Sequence, residues 1–217
     1  MRDQFECLRV DLRGHGRSPA VAPDMDLTAL ADDVNDTLTA VEFAPSAVVG
    51  FSLGGMIAQT LALVHPQAVS ALVLGACPAT LSDEARQTMI DRGAAAERGG
   101  MAVVVDSTLR RWFTTPFLES GGADDVRRRL LGDDVRAWAM GWRAIARLDT
   151  HARLREIAVP TLCVAGEEDV SAPPAAVAAV AAAIAGAQFV VLPGAPHMLF
   201  IEQPRETAAA IASFLRR

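Results

Sequence analysis

Short apolar runs alternate along the chain with stretches in which apolar residues recur at helical spacing. The apolar runs, which predict β-strands, are residues 5–10, 47–50, 69–74, 159–165 and 188–192. The helical spacing predicts helices at 27–41, 53–65, about 173–185 and 204–215. Because the strand runs are continuously apolar, the pattern predicts an α/β fold with a doubly wound, mostly parallel sheet covered on both faces.

The alternation of strand and helix breaks between residues 80 and 155. This stretch shows helical segments without a convincing buried strand. It carries all three tryptophans of the chain, which are Trp112, Trp138 and Trp142. Because a helical insertion between strands can cover a site at their carboxyl ends, we expect a core of residues 1–79 and 156–217 with a helical cap at 80–155.

Composition and charge narrow the classes of partner. There are 20 basic and 26 acidic residues, which give a formal net charge of −6, and the arginines at 127–129 stand among aspartates. Because the sequence contains no basic stripe, we expect no nucleic-acid partner. The first residues show no apolar signal segment, and the most apolar stretch is too short to span a bilayer. We expect a cytoplasmic protein without a membrane partner.

The cysteines give little sign of a metal site or disulfides. Cys7, Cys77 and Cys163 each fall in or at the end of an apolar run. Their odd number and the absence of C-x-x-C spacing argue against a disulfide framework or a zinc site. We expect no metal, and we expect all three to be buried hydrophobic residues of a reducing compartment.

The main chemical signal is a G-x-S-x-G motif at residues 50–54. Ser52 follows an apolar strand run and opens a helix, the context in which a nucleophilic serine occupies a strained turn. Bulk at Gly50 or Gly54 is expected to clash with the neighbouring strand and helix, and Gly55 adds room. The alternative is a serine that only caps the helix.

A serine nucleophile needs a base, and the base needs a carboxylate that orients it. His197 is favoured as the base because it follows the last predicted strand, although it could be an exposed loop residue. Asp169 is favoured as the acid because it lies in a turn directly after a strand. Glu167 and Glu168 are alternatives, and Asp169 could instead only cap the next helix.

The motif D-x-R-G-H-G-R-S at 11–18 also carries charged side chains and a histidine. We interpret it as structural, because its glycines and charged pairs suit a loop after a strand. His15 has no metal-ligand partner at suitable spacing, so neither a ligand nor a base is expected there.

Four motifs together resemble the α/β-hydrolase superfamily. They are D-x-R-G-H-G-R-S at 11–18, G-F-S-L-G-G at 50–55, V-P-T-L-C-V-A-G-E-E-D at 159–169 and G-A-P-H at 194–197. The order serine, aspartate, histidine is also that of the superfamily. Within it, the chain looks most like 3-oxoadipate enol-lactonases and related carboxylesterases. The resemblance implies a serine hydrolase that needs no cofactor and acts on a small-molecule ester or lactone.

The resemblance also implies roles for residues around the nucleophile. The backbone N–H of Leu53 would hold the oxyanion. The residues implied for the substrate pocket are Phe51, Arg111, Trp112 and Trp142. An arginine there could pair with a substrate carboxylate. Trp112 and Phe113 could instead be part of the core of the cap.

The front of the chain departs from the family. Family members carry further strands and a His-Gly turn before the 11–18 loop, whereas Met1 lies ten residues before Asp11. We expect the first strands to be missing, leaving a gap or a new pairing and a sheet edge that favours a homo-oligomer. The second oxyanion donor would be lost with the turn, at a cost of about 10²–10³ in rate.

Three functions remain open from the sequence. The leading one is hydrolysis of a carboxylic ester or lactone through an acyl-enzyme, of the 3-oxoadipate enol-lactonase type. The second is a cofactor-free haloperoxidase-like or perhydrolase activity that uses the same triad. The third is a catalytically impaired binding scaffold.

Overall fold

The computed structural model describes residues 4–19 and 25–216. Residues 1–3, on which the expectation about a signal segment rests, lie outside the described part. Within it, four parallel strands form one sheet in the order β1-β2-β3-β4. Their bounds are Ser46–Phe51 for β1, Val69–Gly75 for β2, Thr161–Gly166 for β3 and Gln188–Leu192 for β4. The predicted parallel α/β sheet is confirmed.

The described part of the chain contains ten α-helices, some of which cover the two faces of this sheet. Their bounds are Leu27–Ala40 (α1), Leu53–Val64 (α2), Asp83–Gly99 (α3), Ala102–Trp112 (α4), Thr115–Glu119 (α5), Asp124–Leu131 (α6), Val135–Ala146 (α7), Pro174–Ala183 (α8), Leu199–Glu202 (α9) and Pro204–Leu215 (α10). Successive strand residues point to opposite faces, so Leu72 and Leu74 pack with α1, α2 and α8, whereas Val73 packs with α9 and α10. No helix in the described part is both long and apolar enough to cross a membrane.

The segment from α3 to α7 is helical and lies between β2 and β3. It has a hydrophobic core of its own, in which Val105, Leu109 and Leu130 are buried. Helices α3 and α7 are in close contact. A Cβ added at Gly93 of α3 would lie only 3.1 Å from the carbonyl oxygen of Ala139 in α7. This segment accounts for most of the predicted cap.

The two ends of the cap are joined at its base. Thr80 and Asp149 form an isolated antiparallel bridge. The backbone N–H of Thr150 donates to the carbonyl of Ala79 at 2.8 Å. The Thr150 hydroxyl donates to Oε1 of Gln59 at 2.7 Å, and Gln59 is a fully buried residue of α2. The cap is therefore fixed to the sheet layer by buried polar contacts whose groups are mutually satisfied.

The loop at 11–18 is shaped by its own glycine and charged residues. A Cβ added at Gly16, which has a φ of 57°, would lie 2.3 Å from Cγ of Asp11. Arg13 donates from Nε to Oδ2 of Asp33 at 2.8 Å, which ties the loop to α1. These contacts agree with the structural interpretation of the motif.

The prediction of a strand at residues 5–10 is wrong. Among the described residues this segment forms no strand, and Leu8 and Val10 are 38% and 37% exposed. Both side chains line a cavity of about 360 Å³ whose other wall is β1. Paired strands lie roughly 4.7–4.9 Å apart, and the cavity between this segment and β1 shows that the two are not paired in this way. The expected gap in the sheet is therefore found beside β1.

The cysteines differ in accessibility, and the expectation that all three are buried is wrong. Cys7 is exposed because its segment has not joined the sheet, whereas Cys77 and Cys163 are fully buried. Burial raises the pKa of each of these two thiols to about 12. Both therefore remain neutral and unreactive at pH 8, since the thiolate is the reactive form.

We expect one thiol of the folded protein to react quickly with Ellman's reagent at pH 8, and three to react after unfolding in guanidinium. Cys7→Ser should remove the fast reaction and leave the other two thiols protected. A second fast thiol in the folded protein would contradict the burial of Cys77 and Cys163.

Candidate active site

Ser52 lies at the tight turn between β1 and α2. Its φ of 52° and ψ of −121° form a combination that residues with side chains rarely adopt. Its backbone N–H donates to the carbonyl of Gly75 at 2.9 Å, which holds the turn against the end of β2. Its side chain makes no capping hydrogen bond to α2. The alternative in which Ser52 only caps the helix is therefore wrong.

The glycines around Ser52 have different steric roles. A Cβ added at Gly50 would lie 2.1 Å from the carbonyl oxygen of Gly54, and one at Gly55 would lie 2.5 Å from Sγ of Cys77. A Cβ at Gly54 would have no described heavy atom within 4 Å beyond its immediate neighbours. The prediction of a clash at Gly54 is therefore wrong, because its side-chain direction faces open space. Gly50 and Gly55 provide the close approach that the turn requires.

Ser52, His197 and Asp169 form one chain of hydrogen bonds. Nε2 of His197 lies 2.9 Å from Oγ of Ser52, and Nδ1 lies 2.8 Å from Oδ2 of Asp169. His197 is 4% exposed and Asp169 is 3% exposed. An ionised carboxylate can only accept, so the hydrogen is assigned to Nδ1, and Nε2 is left to accept from the Ser52 hydroxyl.

The other oxygen of Asp169 is held by the backbone. Oδ1 accepts from the N–H of Ser171 at 2.7 Å and from the N–H of Ala172 at 2.9 Å. Of the two alternatives, Glu167 is exposed and accepts from the N–H of Gly194, and Glu168 is also exposed. Asp169 is the carboxylate of the three that contacts His197.

The loop that carries His197 is tied to both the sheet and the cap. A Cβ added at Gly166 would lie 2.4 Å from the carbonyl oxygen of Ala195, so the loop crosses closely over the end of β3. The backbone N–H of Met198 donates to the carbonyl of Trp112 at 3.0 Å. The Trp112 ring stacks 6.4 Å from the His197 imidazole, centroid to centroid. The end of α4 therefore helps to fix the histidine.

A cavity of about 280 Å³ opens onto Ser52 and His197 beneath the cap. All four residues proposed for the substrate pocket line it, and these are Phe51, Arg111, Trp112 and Trp142. Trp112 is half-buried, and it both lines the cavity and packs against the hydrophobic core of the cap. Phe113 is 4% exposed and belongs to the cap core alone.

Sequence reasoning missed several residues of the cavity wall. His15, interpreted as a loop residue, lines the cavity, and its Nδ1 lies 3.1 Å from the carbonyl oxygen of Arg13. Met89 and Arg92 lie one turn apart on α3 and both face the cavity. Trp138 also lines it, and its indole N–H is buried without a hydrogen-bond partner among the described residues. The helical spacing of Met89 and Arg92 in the sequence was the signal that could have placed these two residues on one face of α3.

The wall of the cavity is positively charged. Among the described residues that line it, Arg92 and Arg111 are the charged side chains of fixed sign, and no aspartate or glutamate faces it. Cζ of Arg92 lies 5.2 Å from the centroid of the Trp142 ring. Burial, and secondly the charge of Arg111, lower the pKa of Arg92 below its ordinary value. The cavity therefore presents cationic groups beside aromatic rings.

Leu53 is the first residue of α2, so its backbone N–H has no intrahelical acceptor. The helix dipole adds partial positive charge at this point.

The described part of the chain holds no group of three or more histidine, cysteine, aspartate or glutamate side chains that could bind a metal ion.

A family model described as "Alpha/beta hydrolase family" matches residues 1–210. The chain is 31% identical over 215 residues to a pimeloyl-[acyl-carrier protein] methyl ester esterase of Neisseria meningitidis, covering 95% of this chain and 81% of the relative. It is 29% identical over 171 residues to 3-oxoadipate enol-lactonase 1 of Acinetobacter baylyi, covering 78% of this chain but 63% of the relative. The crystal structure of the enol-lactonase from Burkholderia xenovorans superposes with a TM-score of 0.90 at 28% identity, covering 95% of this chain and 79% of that one.

Proposed function

Because the chain belongs to the alpha/beta hydrolase family, we propose that it is a serine hydrolase that cleaves a carboxylic ester or lactone through an acyl-enzyme. The observation that carries the proposal is the hydrogen-bonded chain from Ser52 through His197 to Asp169, opening onto a cavity. Similarity to an esterase and to an enol-lactonase supports this reaction class.

The contacts of the triad suggest the order of proton movements. Oγ of Ser52 attacks the carbonyl carbon while its proton passes to Nε2 of His197. Asp169, whose second oxygen is held by two backbone N–H groups, stabilises the imidazolium. His197 then gives the proton to the leaving alkoxide, which completes the acyl-enzyme. Water, deprotonated by His197, attacks the acyl carbon and releases the acid and Ser52.

The backbone N–H of Leu53 is proposed as one donor to the oxyanion that forms on the carbonyl oxygen. Its position at the start of α2 makes it available and adds the helix dipole. One lost donor costs about 2.7–4 kcal/mol in comparable sites.

We expect a fluorophosphonate probe to label the folded protein at Ser52, because the histidine-activated hydroxyl lies in an open cavity. Mass spectrometry of peptides should find one label per chain. Ser52→Ala should lose the label, while Ser70→Ala, which removes an exposed strand serine, should keep it. A folded protein that takes up no label would overturn the proposal.

Two alternatives use the same residues. A haloperoxidase-like or perhydrolase enzyme would halogenate a phenol with peroxide faster than it hydrolyses short esters. An impaired binding scaffold would turn over short 4-nitrophenyl esters no faster than Ser52→Ala does. The proposed hydrolase instead predicts ester turnover that depends on Ser52 and exceeds any peroxide-dependent halogenation.

A further inference from the structure

Glu202, the last residue of α9, contacts the cap through both oxygens of its carboxylate. Oε2 accepts from the backbone N–H of Thr114 at 3.1 Å, and Oε1 accepts from the Thr114 hydroxyl. The Thr114 oxygen in turn accepts from the N–H of Phe117 at 3.4 Å. Glu202 is half-buried and takes part in none of the ion pairs of the described residues. Its carboxylate is therefore bound to a single residue of the cap, by hydrogen bonds of the stronger, charge-assisted kind.

A second contact joins the end of α4 to the residue before α9. The backbone N–H of Met198 donates to the carbonyl of Trp112 at 3.0 Å. The next residue of the cap, Phe113, is buried in the hydrophobic core of the cap, and Met198 and Ile201 pack against that core. The end of α4 and the α9 segment are therefore joined by polar contacts on either side of a buried aromatic residue.

These contacts adjoin the histidine of the hydrogen-bonded triad. His197 immediately precedes Met198, and its imidazole stacks on the Trp112 ring with 6.4 Å between the centroids. Proton transfer requires Nε2 to stay at the 2.9 Å that separates it from Oγ of Ser52, while Nδ1 stays bonded to Asp169. A misplacement of about 1 Å in such an arrangement can cost about 10²-fold in rate. A shift at the end of α4 would therefore lower the rate.

We infer that Glu202 is a positioning residue for His197 and that it acts through the end of α4. Its two hydrogen bonds fix Thr114, and with it the nearby Trp112, whose carbonyl and ring contact the histidine segment. The inference rests on the proposed function, because it assigns His197 its part in the reaction. It adds a residue that belongs neither to the triad nor to the wall of the cavity.

Both segments have further anchors, so the fold should survive the loss of this contact. The base of the cap is fixed by the bridge between Thr80 and Asp149. The other side of α9 is fixed by Thr207 of α10, whose hydroxyl is bonded to the carbonyl of Leu199 at 3.1 Å. Loss of the Glu202 carboxylate should therefore shift the end of α4 against α9 while the sheet and the cap remain folded.

Glu202→Leu removes both acceptors at a similar side-chain size. It should lower kcat for a short 4-nitrophenyl ester by about 10- to 100-fold, with KM changed far less, because Glu202 does not line the cavity. Glu202→Gln should restore most of kcat, since its amide oxygen can accept from the Thr114 N–H and its amide nitrogen can donate to the Thr114 oxygen. Glu206→Leu, an exposed change four residues later, is the matched control and should leave kcat unchanged.

Thr114→Val tests the same contact from the cap and serves as a second variant if Glu202→Leu does not fold. It removes the bond from the hydroxyl and keeps the one from the backbone N–H, so its loss of kcat should be smaller. Combined with Glu202→Leu it should add little further loss, as expected for two residues that act through one contact. Cooperative unfolding in urea should show that each variant is folded.

A proton NMR signal reports the histidine without turnover. The Nδ1–H of His197 is buried and bonded to Asp169, so it should resonate far downfield of the other N–H groups. Asp169→Asn should remove this signal and thereby assign it. Glu202→Leu should shift or broaden it, whereas Glu202→Gln and Glu206→Leu should leave it in place.

The outcomes separate this inference from the proposed function. If folded Glu202→Leu keeps both the signal and kcat, if it raises KM alone, or if Glu202→Gln restores neither, the positioning role is wrong while the hydrolase stands. If Glu202→Leu changes the signal as expected, but the unaltered protein turns over no ester and takes no probe at Ser52, the proposed function fails instead.

Discussion

Replacing Ser52 with alanine is expected to lower kcat for an activated aryl ester by about 10⁴- to 10⁶-fold. Oγ of Ser52 is the atom that Nε2 of His197 faces at 2.9 Å, so its removal leaves no atom to form the acyl bond. Release of 4-nitrophenol measures the rate. Ser70→Ala should match the unaltered protein, and residual Ser52→Ala turnover within tenfold of it would contradict nucleophilic catalysis by this residue.

The backbone conformation of Ser52 can be tested by a measurement of stability, which does not depend on activity. Glycine is usually less stable than alanine within an element by about 0.5–1 kcal/mol. At Ser52, however, φ and ψ match the glycine-favoured first central position of a type II′ turn. Ser52→Gly should therefore have a higher free energy of unfolding in urea than Ser52→Ala. Ala58→Gly, inside α2, should show the usual loss.

Replacing Asp169 with asparagine is expected to lower kcat by about 10⁴-fold while the fold is retained. Two backbone N–H groups, of Ser171 and Ala172, face one carboxylate oxygen, so the asparagine carbonyl must stay there. The amide NH₂ then faces Nδ1 of His197. That nitrogen must accept, which moves the imidazole hydrogen to Nε2, where it can no longer take a proton from Ser52.

The control for this variant is Glu168→Gln, an equal change of charge one residue earlier on an exposed side chain. It should leave kcat within a factor of two or so of the unaltered protein, as expected for surface sites. Circular dichroism melting should show that Asp169→Asn remains folded. A large loss in Glu168→Gln with little loss in Asp169→Asn would reassign the acid.

The sheet and the serine turn were predictable because their signals are local. Buried parallel strands appear as continuous apolar runs, and the predicted helix at 27–41 differs from Leu27–Ala40 by one residue. The error at 5–10 has a non-local cause. An apolar run can pair only where a neighbouring backbone lies at strand spacing, and here a cavity stands between that run and β1.

The cavity wall was predictable only in part. Arg111 was placed there through the likeness of its neighbours to a known family, whereas Arg92 has no such marker. Arg86, six residues earlier on the same helix, points elsewhere and donates to the carbonyls of Ala146 and Leu148. Which arginine faces the cavity depends on the rotation of α3 against α7, and that rotation is set by the close packing of Gly93 on Ala139.

The base of the cap has a consequence for how this protein can diverge. Residues paired across an antiparallel bridge have Cα atoms about 4.5–5.5 Å apart, so Thr80 and Asp149 could be joined by a tight turn or by a different helical insert. Such an exchange would keep the register of β2 and β3, and with it Ser52. It would remove Arg92. The triad and much of the cavity wall therefore lie on separate lengths of chain, and a new insert would also have to replace the contact of the Trp112 carbonyl with the backbone N–H of Met198.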